Sequence, residues 1–145
     1  MYKLIFTDFD KTLVGDDLII SNENLEAIKK AQKKGVQIML CTGRSFLKLK
    51  QFEDIIGISG ENAYGVAFNG GIVYKVDDRK IIRDKRIELS LGREIIKKLR
   101  GEKASVLIYV KEKLYAERGN DEYINFYENK ASLDVTYIDS FDYIE

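Results

Sequence analysis

The stretch that decides the fold is Leu4-Ile5-Phe6-Thr7-Asp8-Phe9-Asp10-Lys11-Thr12-Leu13. Lys3 to Thr7 is a short apolar run of strand length, and two aspartates follow it with one phenylalanine between them. A period of two in extended chain puts both carboxylates on one face. Open α/β sheets bind ligands beyond the carboxyl ends of their strands, which is where Asp8 and Asp10 stand. Such a pair can hold a divalent cation through oxygen ligands while one carboxylate attacks phosphorus and the other exchanges a proton with the leaving oxygen.

The next segments give this reading its context. Asn22 to Lys34 carries Leu25, Ile28 and Ala31 at helical spacing between Ser21, a good N-cap, and Gly35, a good residue for the position after the last turn. Val36 to Cys41 is a run of strand length that is apolar except at Gln37, followed by a helical pattern in Phe46, Leu49, Phe52, Ile55 and Ile56 that ends at Gly57. A third apolar run, Tyr64 to Phe68, stops at Asn69-Gly70-Gly71, and IVYKV and KIIRDKRI on either side of Asp77-Asp78 form a β-hairpin pattern. Strand and helix therefore alternate, as in a doubly wound parallel sheet. After about Lys85 the pattern changes to α+β. It reads as a helix (Ser90 to Arg100), strands (Ser105 to Val110 and Lys113 to Glu117), a helix (Asn120 to Lys130) and a strand (Asp134 to Ile138).

The chain has 145 residues, which is room for one core and an appendage. Its 24 basic and 24 acidic residues cancel, which removes the electrostatic reason for a nucleic-acid or anionic-membrane partner. The opening residues fit neither a signal peptide nor a membrane span, so a cytoplasmic location is expected. The complete absence of histidine excludes Ser-His-Asp hydrolases, histidine-nucleophile phosphatases and HExxH zinc sites. A cysteine-nucleophile phosphatase needs an arginine six positions after the cysteine, and that position holds Leu47. Cys41, the single cysteine, reads as a small buried hydrophobe inside QIMLC.

DFDKTL, Asp8 to Leu13, is similar to the first motif of the haloacid dehalogenase superfamily, with Lys11 where glycine is commoner. Thr42, in LCTGRS, stands at the place of that superfamily's second motif, and TGR together with FNGG resembles the Cof-type subfamily, whose cap follows the third strand. The resemblance implies a partial doubly wound, Rossmann-like parallel sheet over residues 1–84 and an incomplete α+β cap over 85–145. It implies a phosphomonoester hydrolase acting on a small phosphorylated metabolite. In that scheme Asp8 is the nucleophile that becomes an aspartyl-phosphate, and Asp10 is the general acid and then the base. Mg²⁺ is held by Asp8 and by the backbone carbonyl of Asp10. Thr42 and the amides near Gly43 hydrogen-bond the phosphoryl oxygens, while Arg44 and Asn69 touch substrate or shape the entrance. The resemblance also implies two later motifs, a lysine and a GDxxxD-like segment, which this sequence does not contain. Asp139 and Asp142 lack the preceding glycine and are expected at the surface. The first strand is then expected to form an open sheet edge, suited to pairing with a second copy.

Other readings compete. The chain can be a catalytically inactive module that binds phosphate or metal, or that dimerises through its first strand. A receiver-like phospho-acceptor would need an aspartate at the third strand's end, where Asn69 stands. Thr42-Gly43 can be a plain strand-to-helix turn, with Ser45 as an alternative cap. Asn69-Gly70-Gly71 can be a tight turn requiring positive φ, and Arg44 a solvated side chain. Tyr109, Tyr115, Tyr123 and Tyr127 read as core aromatics rather than as a pocket.

Overall fold

The computed structural model describes residues 2–100, 102, 105–111, 113–118, 121–131 and 134–144. The chain divides into two compact units, Met1–Arg86 and Ile87–Glu145.

In the first unit, β1 (Leu4–Thr7) leads through the aspartate segment to α1 (Asn22–Lys33), and β2 (Gln37–Leu40) leads through a short 3-10 turn (Phe46–Lys48) to α2 (Lys50–Ile56). Local signals set these limits. The Ser21 hydroxyl accepts the Asn24 N–H at 3.2 Å and opens α1. Gly35, at φ 78°, closes it, with Gly35 N–H on Gln32 O and Val36 N–H on Ala31 O. This double closure satisfies carbonyls that the last turn leaves open. Gly57, at φ 71°, closes α2 in the same way.

β1 and β2 are parallel and in register, Ile5 opposite Ile38 and Thr7 opposite Leu40. A parallel bridge from Cys41 to Val66 and the Thr42 N–H bond to Val66 O carry β2 on to β3 (Tyr64–Ala67). From β3 the chain folds back as the antiparallel strands β4 (Ile72–Lys75) and β5 (Ile81–Asp84). The core beneath is built from Phe9, Leu13, Leu40, Leu49, Phe52, Ile56, Tyr74 and Val76. Phe9 meets Phe52 edge-on at 4.5 Å between ring centroids. Among the described residues no other strand pairs with β1, and Leu4, Ile5 and Phe6 are exposed.

A buried ion pair joins α2 to the hairpin. Glu53 is wholly buried; one carboxylate oxygen accepts the Tyr74 hydroxyl and the other accepts Arg79, which also donates to Phe46 O. The Arg79 guanidinium lies 4.8 Å from the Tyr74 ring centroid and 5.4 Å from that of Phe46. A buried carboxylate is tolerated because both oxygens are bonded and its charge is matched.

The second unit contains α3 (Leu89–Leu99), β6 (Leu107–Val110), β7 (Lys113–Glu117), α4 (Asp121–Ala131) and β8 (Val135–Ile138). β6 and β7 are antiparallel, and β8 adds to β7 in parallel. Among its described residues, Ile96, Leu114, Ala116, Ile124 and Phe141 are buried and apolar.

Three sequence expectations need correction. Cys41 is exposed, although its backbone still pairs with Thr7 and Val66 at the end of β2. Tyr109 and Tyr123 are exposed rather than core, and Tyr115 is half-buried. The side chain of Tyr127 lies outside what is described. Ile55 also faces solvent, so only part of the pattern in α2 is a core stripe.

Candidate active site

The aspartate pair is placed by the residue between its members. Phe9 is wholly buried, whereas Asp8 and Asp10 on either side of it are exposed. The Phe9 carbonyl accepts the N–H groups of Leu13 and Val14, so the chain turns back at once and holds the acids beyond β1. Alternation across a strand explains the outcome: burying one aromatic turns both neighbours outward. The Thr12 hydroxyl donates to Oδ2 of Asp8 at 3.4 Å. Lys11 occupies this turn at φ 58°, the conformation that makes glycine the commoner residue there.

Thr42 stands at the corresponding end of the neighbouring parallel strand and is buried. Its hydroxyl oxygen accepts the Arg44 N–H at 3.2 Å, and its carbonyl accepts the Asn69 N–H at 3.1 Å. The helical turn after β2 is capped by Ser45, whose hydroxyl accepts the Leu47 N–H at 3.4 Å. The cap thus falls to Ser45 and not to Thr42. The Phe68 N–H bonds the Arg44 carbonyl, so the loop after β3 is tied to the loop after β2 at two points.

Phe68, Asn69 and Gly70 all have positive φ, at 50°, 53° and 90°. The tight-turn reading of this segment therefore describes its backbone. The same turn sets the Asn69 side chain against Gly43. Arg44 reaches back to the aspartate segment, with Nε 2.8 Å from Asp10 Oδ2 and Nη2 2.7 Å from Asp10 Oδ1. Its guanidinium also lies 5.0 Å from the Phe9 ring centroid. Arg44 is accordingly not a solvated side chain.

Contacts therefore join Asp10 to Arg44 and link Thr42, Gly43, Arg44 and Asn69. Asp8 touches Thr12, a residue of the quoted motif to which sequence reasoning gave no role; its position four residues after Asp8 was the available signal. Oxygen donors of this kind suit a hard cation such as Mg²⁺. Among the described residues no group of three or more aspartate, glutamate, cysteine or histidine side chains converges here.

The second unit contains an open hollow of about 940 Å³, bordered by Lys111, Lys113 and Arg118 with Tyr115 and Tyr143. Asp139 and Asp142 are exposed, as expected, and pair with Arg118 at 3.4 Å and with Arg100 at 3.1 Å. No helix among the described residues is long and apolar enough to cross a membrane.

The profile of haloacid dehalogenase-like hydrolases matches residues 5–145. The chain belongs to this family. It is 36% identical over 92 residues to YxeH of Bacillus subtilis, a candidate phosphatase, covering 63% of this chain and 33% of that protein. It is 30% identical over 100 residues to a phosphoglycolate phosphatase of Methanopyrus kandleri, covering 69% and 41%. Among solved structures, a haloacid dehalogenase-like hydrolase from Bacteroides thetaiotaomicron superposes with a TM-score of 0.80 at 20% identity, over 97% of this chain and 53% of the other. The fold is thus that of the family, and the chain spans between a third and about half of these relatives' lengths.

Proposed function

We propose that the chain carries the phosphoryl-transfer face of a Mg²⁺-dependent phosphomonoester hydrolase. One observation carries this reading: burial of Phe9 leaves the Asp8 and Asp10 carboxylates exposed beyond β1, while Thr42 stands at the same end of the parallel neighbour β2. Relatives that are themselves named phosphatases support it.

In this reading Asp8 attacks phosphorus and becomes an aspartyl-phosphate, while Asp10 gives its proton to the departing ester oxygen. Asp10, now a carboxylate, takes a proton from water as the water oxygen attacks phosphorus and Asp8 is released with inorganic phosphate. The Thr42 hydroxyl has its oxygen on the Arg44 amide and its proton free to donate to a phosphoryl oxygen. The amides near Gly43 donate beside it, and Arg44 and Asn69 shape the entrance. Asp8, through its carboxylate, and Asp10, through its backbone carbonyl, would hold Mg²⁺. When bound, the cation supplies charge compensation between the acids and the phosphoryl group. The domain reading follows: residues 1–84 are the first part of the Cof-type core, residues 85–145 are part of its cap, and the substrate is a small phosphorylated metabolite.

Hydrolysis of a generic phosphomonoester, with and without Mg²⁺, tests this. Asp8→Asn should abolish the Mg²⁺-dependent rate, and equal rates in parent and variant would sink the assignment of the nucleophile.

A second reading rests on β1. Its exposed Leu4, Ile5 and Phe6 suit a module that pairs with a second copy and binds phosphate without turnover. Sedimentation showing a dimer that Phe6→Lys dissociates, together with phosphate binding and no hydrolysis, would favour it.

A further inference from the structure

Arg44 and Asp10 are 34 residues apart in the chain and meet through two parallel, charge-assisted hydrogen bonds. Each carboxylate oxygen of Asp10 faces one nitrogen of the same guanidinium, so the plane of the carboxylate is tied to the plane of the fork. The fork itself is held. Its backbone N–H is on Thr42 Oγ1, its carbonyl accepts the Phe68 N–H, and its guanidinium packs over the ring of Phe9, the residue adjoining Asp10. The Arg44 side chain is 20% exposed against 47% for that of Asp10, so the arginine is the more fixed partner. A carboxylate oxygen offers two lone pairs, and the fork uses one on each. The remaining lone pairs point away from Arg44, and the Asp10 side chain is 47% exposed.

We propose that Arg44 is the positioning residue of Asp10, fixing the direction in which that carboxyl group exchanges a proton with the leaving oxygen, rather than chiefly a contact to substrate. This rests on the proposed role of Asp10 as the acid. A lysine cannot take Arg44's place, because a point donor does not define a plane.

The leaving group separates this role from phosphate binding. p-Nitrophenolate departs without a proton, whereas the alkoxide of glycerol phosphate needs one. Arg44→Ala should slow formation of the aspartyl-phosphate, read in a single turnover before the attack of water that both esters share, on the order of 10²-fold from glycerol phosphate and by less than about tenfold from p-nitrophenyl phosphate. Arg44→Lys should rescue neither loss. Equal losses on the two esters, or recovery with lysine, would overturn the inference. If the parent hydrolyses neither ester, the proposed function fails for this chain, and a measurement without turnover decides the positioning role. The carboxyl carbon NMR resonances of Asp8 and Asp10 are compared in the parent, Arg44→Ala and Arg44→Lys. The expected result is a shift at Asp10 with Asp8 unmoved. No shift at Asp10, or equal shifts at both, would overturn it.

Discussion

An ideal β-carbon at Gly43 would lie 2.9 Å from Oδ1 of Asn69, closer than real β-carbon contacts come. The two residues belong to different loops, and the Asn69 backbone is held by its N–H bond to Thr42 O and by its left-handed conformation. Only the amide end of Asn69 can give way. Gly43→Ala should therefore cost less than about 1 kcal/mol of stability while lowering phosphate affinity or turnover about tenfold or more, because small displacements at a site are expensive. Denaturant titration and orthophosphate binding check both parts. Adding Asn69→Ala should recover the stability but not the binding.

Gly65 presents the opposite case. A β-carbon there would come within 2.4 Å of the Tyr74 ring and hydroxyl. That ring cannot retreat: it is wholly buried, its hydroxyl is bonded to Glu53, and Phe46 lies 5.0 Å away between centroids. Gly65→Ala should cost about 3 kcal/mol by chemical denaturation. Tyr74→Phe should cost about 1–3 kcal/mol by leaving a buried carboxylate oxygen unpaired. Burial first, then the bond to Glu53, pushes the phenol far above its ordinary pKa. An alkaline absorbance titration should find this tyrosine silent.

What the sequence made legible was local. Ser21, Gly35 and Gly57 marked helix ends because a cap is decided within a few residues, and the positions of Asp8, Asp10 and Thr42 followed from strands with clear limits. Contacts across the chain were not legible. Nothing local marks Glu53 as buried until Tyr74 and Arg79, 21 and 26 residues on, are brought to it. Arg44 reads as a substrate contact or as a solvated side chain, with nothing to join it to Asp10 until the two loops are brought together. The exposure of Cys41 was hidden for another reason: Ile38 to Cys41 is apolar at every position, so the run has no period from which a face can be assigned.

Lys11 shows a departure from the family pattern with a physical consequence. Its φ of 58° is strained for any residue with a β-carbon, and its ammonium pairs with Asp16 at 3.9 Å between exposed groups. An exposed pair of that kind contributes little. Lys11→Gly should therefore stabilise the chain by about 1 kcal/mol, the relieved strain slightly exceeding the entropy that glycine adds to the unfolded state. Thermal unfolding at matched pH gives the sign. A drop in melting temperature would mean that Lys11 makes a contact worth more than its strain.

Acid should act on the second unit through Arg100. This side chain donates to Glu117 and Asp142, and the Phe141 N–H donates to Glu117 at 2.7 Å. Arg100 holds both carboxyl groups below their usual range; burial opposes this at Glu117, and Ser140 adds to it at Asp142. A depressed carboxyl stabilises the fold fully above its unfolded pKa, about 4 for these groups, and that stabilisation is lost as pH falls through the folded value. Stability should thus be flat from neutrality to about pH 5 and fall below about pH 4. The Phe141 amide proton shift reports Glu117 directly, and its midpoint should lie below that of an ordinary glutamate. Glu117→Gln should cost about 1 kcal/mol at neutral pH and flatten part of the acid limb. An unchanged acid limb in that variant would assign the sensitivity to other carboxylates.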